Sequence, residues 1–112
     1  MSLLIIRGSR RFAVRGPISL MLPDGTECDG LLVEVSLSGC RISNIVPDLP
    51  GIDECVTVRI EGFDEMPAQV RWTGESVVGL RLIRPLHNGT LERIIGQCRE
   101  SRYKGTNLLF GT

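Results

Sequence analysis

Two short stretches carry side chains whose types and spacing suit recognition of an anion. Arg11 and Arg15 lie four residues apart in Arg11-Phe12-Ala13-Val14-Arg15, with Arg10 adjacent. Planar guanidiniums at that spacing, just ahead of a strand, can place forked donor pairs on one anionic ligand. Further along, Glu34-Val35-Ser36-Leu37-Ser38-Gly39 interrupts an alternating apolar pattern with a polar turn. A carboxylate, a hydroxyl and a glycine at a strand end supply an acceptor, a donor or acceptor, and a point where backbone can approach a ligand closely. Each has a plainer reading. Arginines before a strand are ordinarily a solvated segment, Glu34 is then an outward strand residue, and Ser36, Ser38 and Gly39 are ordinary hairpin chemistry.

The elements that must position these residues are strands. Leu31, Val33 and Val35 alternate with Leu32, Glu34 and Ser36, which predicts that the acid and the serine point away from the core. Pro17 is expected to open a first strand running to Leu22, and Pro23-Asp24-Gly25 is a strong turn signal. Strands follow at about Cys28–Ser36, Cys40–Asn44, Val56–Glu61, Ala68–Thr73 and Val77–Ile83, with a further short apolar stretch at Leu3–Ile6. The segment Arg7 to Arg15 shows no apolar period and is expected to be flexible. The alternation of Ala68, Val70 and Trp72 predicts core packing for the tryptophan, and Arg71 and Arg81 fall on outward phases. After Pro85 the period changes: Leu91, Ile94, Ile95 and Cys98 form one helical stripe, with Asn88 or Thr90 as N-cap candidates, Glu92 in the first turn, and Arg99 and Arg102 near the end. Six strands and a closing helix imply an antiparallel barrel or sandwich capped by that helix.

Composition limits the function classes. A chain of 112 residues, 42% hydrophobic, is expected to form one domain over residues 1–112, with its core in about 7–103 and apolar ends at 1–6 and 107–112. Thirteen basic and thirteen acidic residues cancel, so nothing draws the chain as a whole to a nucleic acid polymer or an anionic membrane. The charge is nevertheless uneven. Arg7, Arg10, Arg11 and Arg15 precede the first acid, Asp24, while Asp48, Asp53, Glu54, Glu61, Asp64 and Glu65 face only Arg59. Cys28, Cys40, Cys55 and Cys98 form no Cys-x-x-Cys pair, and His87 is the single histidine, so a metal site has no support; Cys40 and Cys98 read as small core residues. His87 reads as a capping or surface residue. No apolar run reaches membrane-spanning length and no signal peptide is evident, which favours a reducing cytoplasm. No nucleophile motif or glycine-rich phosphate loop is present, so binding rather than catalysis is expected, without a cofactor.

The arginine pair and the turn, in this order and on these strands, resemble the PilZ domain family. That family carries an Arg-x-x-x-Arg segment before its first barrel strand, matched by Arg11 and Arg15, and an Asp/Asn-x-Ser-x-x-Gly motif, matched here by Ser36 and Gly39 with Glu34 in place of the first residue. Val70-Arg71-Trp72, the strand Val78-Gly79-Leu80-Arg81-Leu82 and the closing helix support the resemblance, which spans about residues 7–103. It implies a mainly β fold, a six-stranded antiparallel barrel with a C-terminal helix, acting as a receptor for cyclic di-GMP. Arg10, Arg11 and Arg15 would meet phosphate or guanine edges, Glu34 the guanine N1–H and amino group, Ser36 a polar ligand atom, and Gly39 would admit close backbone approach. Trp72 would offer an aromatic face.

Two function classes follow. In the first, the chain binds cyclic di-GMP, the arginine segment orders over the ligand, and a separate effector protein reads the new surface. In the second, the Glu34 side chain, one methylene longer than the family pattern, removes nucleotide binding and the barrel serves as a protein-interaction module. The apolar ends Leu3–Ile6 and Leu108–Phe110 then become docking patches, with a second copy of the chain as one candidate partner.

Overall fold

The computed structural model describes residues 10–111, with side chains over residues 10–99. The expectations for Leu3–Ile6, Arg7, Arg102 and the side chains of Leu108–Phe110 lie outside the described residues. Among the described residues there are six strands, β1 Phe12–Met21, β2 Glu27–Val35, β3 Gly39–Val46, β4 Cys55–Arg59, β5 Met66–Gly74 and β6 Val77–Leu82, followed by one helix, α1 Asn88–Gly111. They close into an antiparallel barrel in the order β1-β2-β3-β6-β5-β4, sealed by pairing of β1 with β4 at Leu20 and Val58. Closure leaves none of the described strands as an unpaired sheet edge, the liability of an open sheet.

Inward side chains fill the barrel. Leu20, Leu32, Ile42, Val58, Val70 and Val78 are buried almost completely, each burial stabilising by about 1.5–3 kcal/mol. Helix α1 closes one side with the expected stripe, Leu91, Ile94, Ile95 and Cys98, all buried. It sits on β1 at Gly16, where an added Cβ would come 2.7 Å from Cys98 Sγ, so the absent side chain is what lets the helix approach. Gln97 also donates to the Glu61 carbonyl at 2.9 Å, and the Arg93 guanidinium lies 4.8 Å from the Phe63 ring centre.

Several strand expectations are corrected. β1 begins at Phe12 rather than Pro17, so Arg15 lies within the sheet and not in a flexible segment. Val14, Gly16, Ile18 and Leu20 are its inward positions. A glycine on the buried phase carries no hydropathy signal, which hid the period. In β2 the pairing with β3 shifts register between Leu32 and Glu34. This bulge reverses the alternation, so Leu32 and Val35 are the core residues while Leu31 and Val33 are half-buried; Ser36, past the strand's end, is buried at 6% exposure by the turn instead of pointing away. A second bulge, between Val70 and Trp72 in the pairing of β5 with β6, turns Trp72 outward to 44% exposure instead of into the core.

The helix ends also differ. The Leu91 N–H donates to the His87 carbonyl at 3.0 Å, so exposed His87 holds the N-cap position and Asn88 and Thr90 fall inside the first turn. Because α1 continues to Gly111, Glu92 lies beyond the first turn and Arg99 lies away from the last. All four cysteines are free: Cys28 and Cys98 are buried, Cys40 is half-buried and Cys55 is exposed. Among the described residues no helix is long and apolar enough to cross a membrane, and no cluster of His, Cys, Asp and Glu could hold a metal ion.

Candidate ligand-binding groove

The turn from β2 to β3 is built around one hydroxyl. Ser36 Oγ accepts the N–H of Ser38 at 3.2 Å and of Gly39 at 3.1 Å, and donates to the Gly39 carbonyl at 3.3 Å. The backbone closes the same loop, with the Ser36 N–H donating to the Gly39 carbonyl at 2.9 Å. Ser36 therefore fixes the turn's shape, and only a short side chain with both donor and acceptor capacity can do so from a buried position. Gly39 serves a different need from the one its turn position suggests. It adopts no left-handed conformation, but a Cβ there would collide with the Leu80 carbonyl oxygen on β6. The turn is further pinned from outside: Leu82 N–H donates to the Ser38 carbonyl and Leu86 N–H to the Leu37 carbonyl, each at 2.8 Å.

Beside this turn, the outer face of β3, β6 and β5 forms an open groove of about 860 Å³. Arg11, Arg41, Arg71 and Arg81 line it with Glu34, four positive side chains against one negative, a formal balance of plus three. Glu34 is paired in register with Arg41 across β2 and β3, and its Oε1 lies 4.0 Å from Arg41 Nε, an ion pair left partly open to solvent. Trp72 stands on β5 opposite Gly79 of β6, its indole occupying the space that a side chain at residue 79 would fill. Cys40 contributes to the groove wall although half-buried, and burial pushes its thiol up to about 12.

Of the residues singled out in the sequence, the groove brings together Arg11, Glu34, Ser36, Gly39 and Trp72. Arg10 and Arg15 are not part of its lining. Arg10 lies 5.1 Å from the Phe12 ring centre and borders a second groove of about 520 Å³, between the start of β1 and helix α1. Arg15 is exposed on β1, two residues past Ala13, which pairs with Glu34. Arg71 and Arg81, outward residues of β5 and β6, are carried round to the groove by barrel closure. Arg41 belongs to neither sequence motif, and its outward phase two residues past Gly39 is the signal in the sequence that points to it. The part played by Gly79 had no sequence signal, because it depends on the bulge that turns Trp72.

Such a surface, basic in charge, with one carboxylate and one exposed indole, can hold an anion that also presents a flat ring and donor edges. The fold is similar to that of a solved structure, the PilZ domain of CeSA from a cellulose-synthesizing bacterium. That similarity has a TM-score of 0.56 over 92% of this chain and 97% of that one, at 16% sequence identity. No curated protein sequence matches the chain. The model of the PilZ domain matches residues 5–100, a span that holds the whole barrel, the Ser36–Gly39 turn and the packed part of the helix, and the chain belongs to the PilZ domain family.

Proposed function

We propose that this protein is a receptor for cyclic di-GMP that binds the dinucleotide in the groove beside the Ser36–Gly39 turn and passes the signal to a separate effector protein. The observation that carries the reading is the convergence of Arg11, Arg41, Arg71 and Arg81 with a single carboxylate and an exposed indole on one surface. PilZ domains are binding and adaptor modules, and the family generally binds cyclic di-GMP. The ligand has two phosphates, which suit guanidinium forks, and two guanines, each with a flat face for Trp72 and an N1–H and amino edge for a carboxylate. Arg11 stands immediately before β1, where the chain can close on a bound anion without breaking a strand pair. Ser36 and Gly39 act by holding the turn against β6, so that the groove is formed before ligand arrives.

Calorimetric titration tests the reading. The wild-type protein is expected to bind cyclic di-GMP with micromolar affinity or tighter. Arg11→Ala should weaken binding about ten- to a hundredfold, the scale of hydrogen bonds made to a charged group. Arg10→Ala and Arg15→Ala should cost less, since neither residue lines the groove. Absence of heat at millimolar ligand would overturn the proposal in favour of a barrel that contacts proteins alone.

A further inference from the structure

Five large hydrophobic side chains are exposed among the described residues; Val46, at 57%, ends β3, and Leu49, at 38%, and Ile52, at 60%, follow on the connection from β3 to β4. Two such residues on one short connection, with Val46 just ahead of it, put apolar surface in water along a single segment, a placement that suits contact with another protein. Hydrogen bonds tie the connection down in this exposed form. Cys28 Sγ donates to the Asp48 carbonyl at 3.2 Å, and the Gly51 N–H donates to Glu54 Oε1 at 2.9 Å. The Asp53 N–H donates to the Val70 carbonyl at 2.8 Å, and the Val70 N–H to the Glu54 carbonyl at 2.9 Å.

The charge among these apolar residues has one sign. Asp48, Asp53 and Glu54 are exposed, and no lysine or arginine occurs between Arg41 and Arg59. We infer that this connection is a docking surface for a protein segment that is both apolar and basic, such as an amphipathic helix with lysine or arginine flanking its apolar stripe. Fixed backbone lowers the ordering cost of docking, the apolar side chains supply burial, and the acidic rim selects a cationic partner. The same rim repels an anionic membrane and nucleic acid. None of these residues lines the arginine groove, so both surfaces can be occupied at once. The two are joined through β5, since the loop holds both backbone groups of Val70 and the next residues, Arg71 and Trp72, face the groove. The inference stands whatever the groove binds.

The test is nuclear magnetic resonance titration of the protein with a synthetic helical peptide of leucine and lysine, one face apolar. A leucine and glutamate peptide with the same apolar face is the control. Amide shifts centred on residues 45–54, seen with the lysine peptide only, are expected. Leu49→Ser with Ile52→Ser should weaken binding about tenfold, as for loss of central apolar contacts. Asp48→Asn with Asp53→Asn should flatten its salt dependence; asparagine accepts the positive φ of 70° at residue 53. Equal binding of both peptides, shifts centred on Glu61–Glu65, or insensitivity to the serine substitutions would overturn the assignment. So would a wild-type dimer that Ile52→Ser dissociates, because the surface would then belong to a second copy.

Discussion

The indole of Trp72 occupies the place where a side chain at Gly79 would stand, so one residue's missing Cβ positions the other's ring. The relationship spans β5 and β6 and exists because the bulge after Val70 turns Trp72 onto the outer face. A ring packed against backbone is held in place, and at 44% exposure part of the Trp72 ring stays open to a ligand, which is what stacking a base needs. Trp72→Ala is expected to weaken cyclic di-GMP binding by about 1–3 kcal/mol, the usual worth of base stacking on an aromatic side chain, with little change in melting temperature. Gly79→Ala should reproduce much of that loss by lifting the ring. Because Trp72 is the single tryptophan, its fluorescence reads both effects directly. Unchanged emission in Gly79→Ala would show that the ring is not seated on this backbone.

Glu34 stands where the family pattern has a shorter acid or amide, and its ion pair with Arg41 gives that difference a consequence. In the free protein the groove's one carboxylate is spent on one of its four arginines. Glu34→Asp draws the carboxylate back by about one bond length, ~1.5 Å, from a separation already at 4.0 Å, so the pair opens. Arg41 is then free for phosphate and the carboxylate for a guanine edge. Tighter binding of cyclic di-GMP by Glu34→Asp is the expected calorimetric result, with Arg41→Gln weaker than wild type. If Glu34→Asp binds more weakly, the longer side chain is the fitted one and Arg41 positions it for ligand.

The barrel was legible in the sequence because alternation over short strands survives wherever the pleat is regular, as in Val56 and Val58 or in Val78, Leu80 and Leu82. The helix was legible from Leu91, Ile94, Ile95 and Cys98 for the same reason. What was misread lies at two bulges and one buried glycine. The bulge at Leu32 and Glu34 exchanged the faces of β2 ahead of it, Ser36 is buried by the turn past the strand's end, and the bulge at Val70 and Trp72 exposed the tryptophan. An extra residue in one strand changes the phase of all that follows, and nothing in a single sequence marks where it sits. The groove was half legible. Glu34, Ser36 and Gly39 are close in sequence to one turn and Arg11 is brought beside them by the pairing of Phe12 with Val35, whereas Arg71, Gly79 and Arg81 reach it only because β6 lies between β3 and β5.

Ser36 separates a structural role from a ligand-binding one. Its hydroxyl takes the N–H groups of Ser38 and Gly39 from a buried position. Ser36→Ala removes that acceptor, and a buried donor left without a partner costs about 1–3 kcal/mol. For a domain of this size that should lower the melting temperature by about 4–8 °C per kcal/mol. Loosening the turn also loosens what hangs on it, since Leu82 and Leu86 donate to its carbonyls just ahead of α1. Thermal denaturation followed by circular dichroism checks this. An unaltered melting temperature with lost nucleotide binding would mean that the hydroxyl serves the ligand and the turn holds itself.

The cysteines give the chain an alkaline limit. Burial raises the Cys98 thiol above its ordinary 9.0 and pushes Cys40 up to about 12, so both stay protonated in the folded protein where the unfolded chain has begun to ionise. Between those values the folded state binds more protons than the unfolded state, and stability therefore falls as pH rises. The contribution is complete below about pH 9 and is lost progressively up to the folded-state values. Denaturant midpoints are expected to be level through neutral pH and to decline from about pH 9, with a shallower decline in Cys40→Ala. Thiol reactivity supplies the independent check. A disulfide reagent should modify exposed Cys55 rapidly and the other three only on unfolding, because thiolate character and access govern the rate together. Rapid modification of Cys40 in the native protein would show that the groove wall opens, and protection of that thiol by cyclic di-GMP would then place the ligand against it.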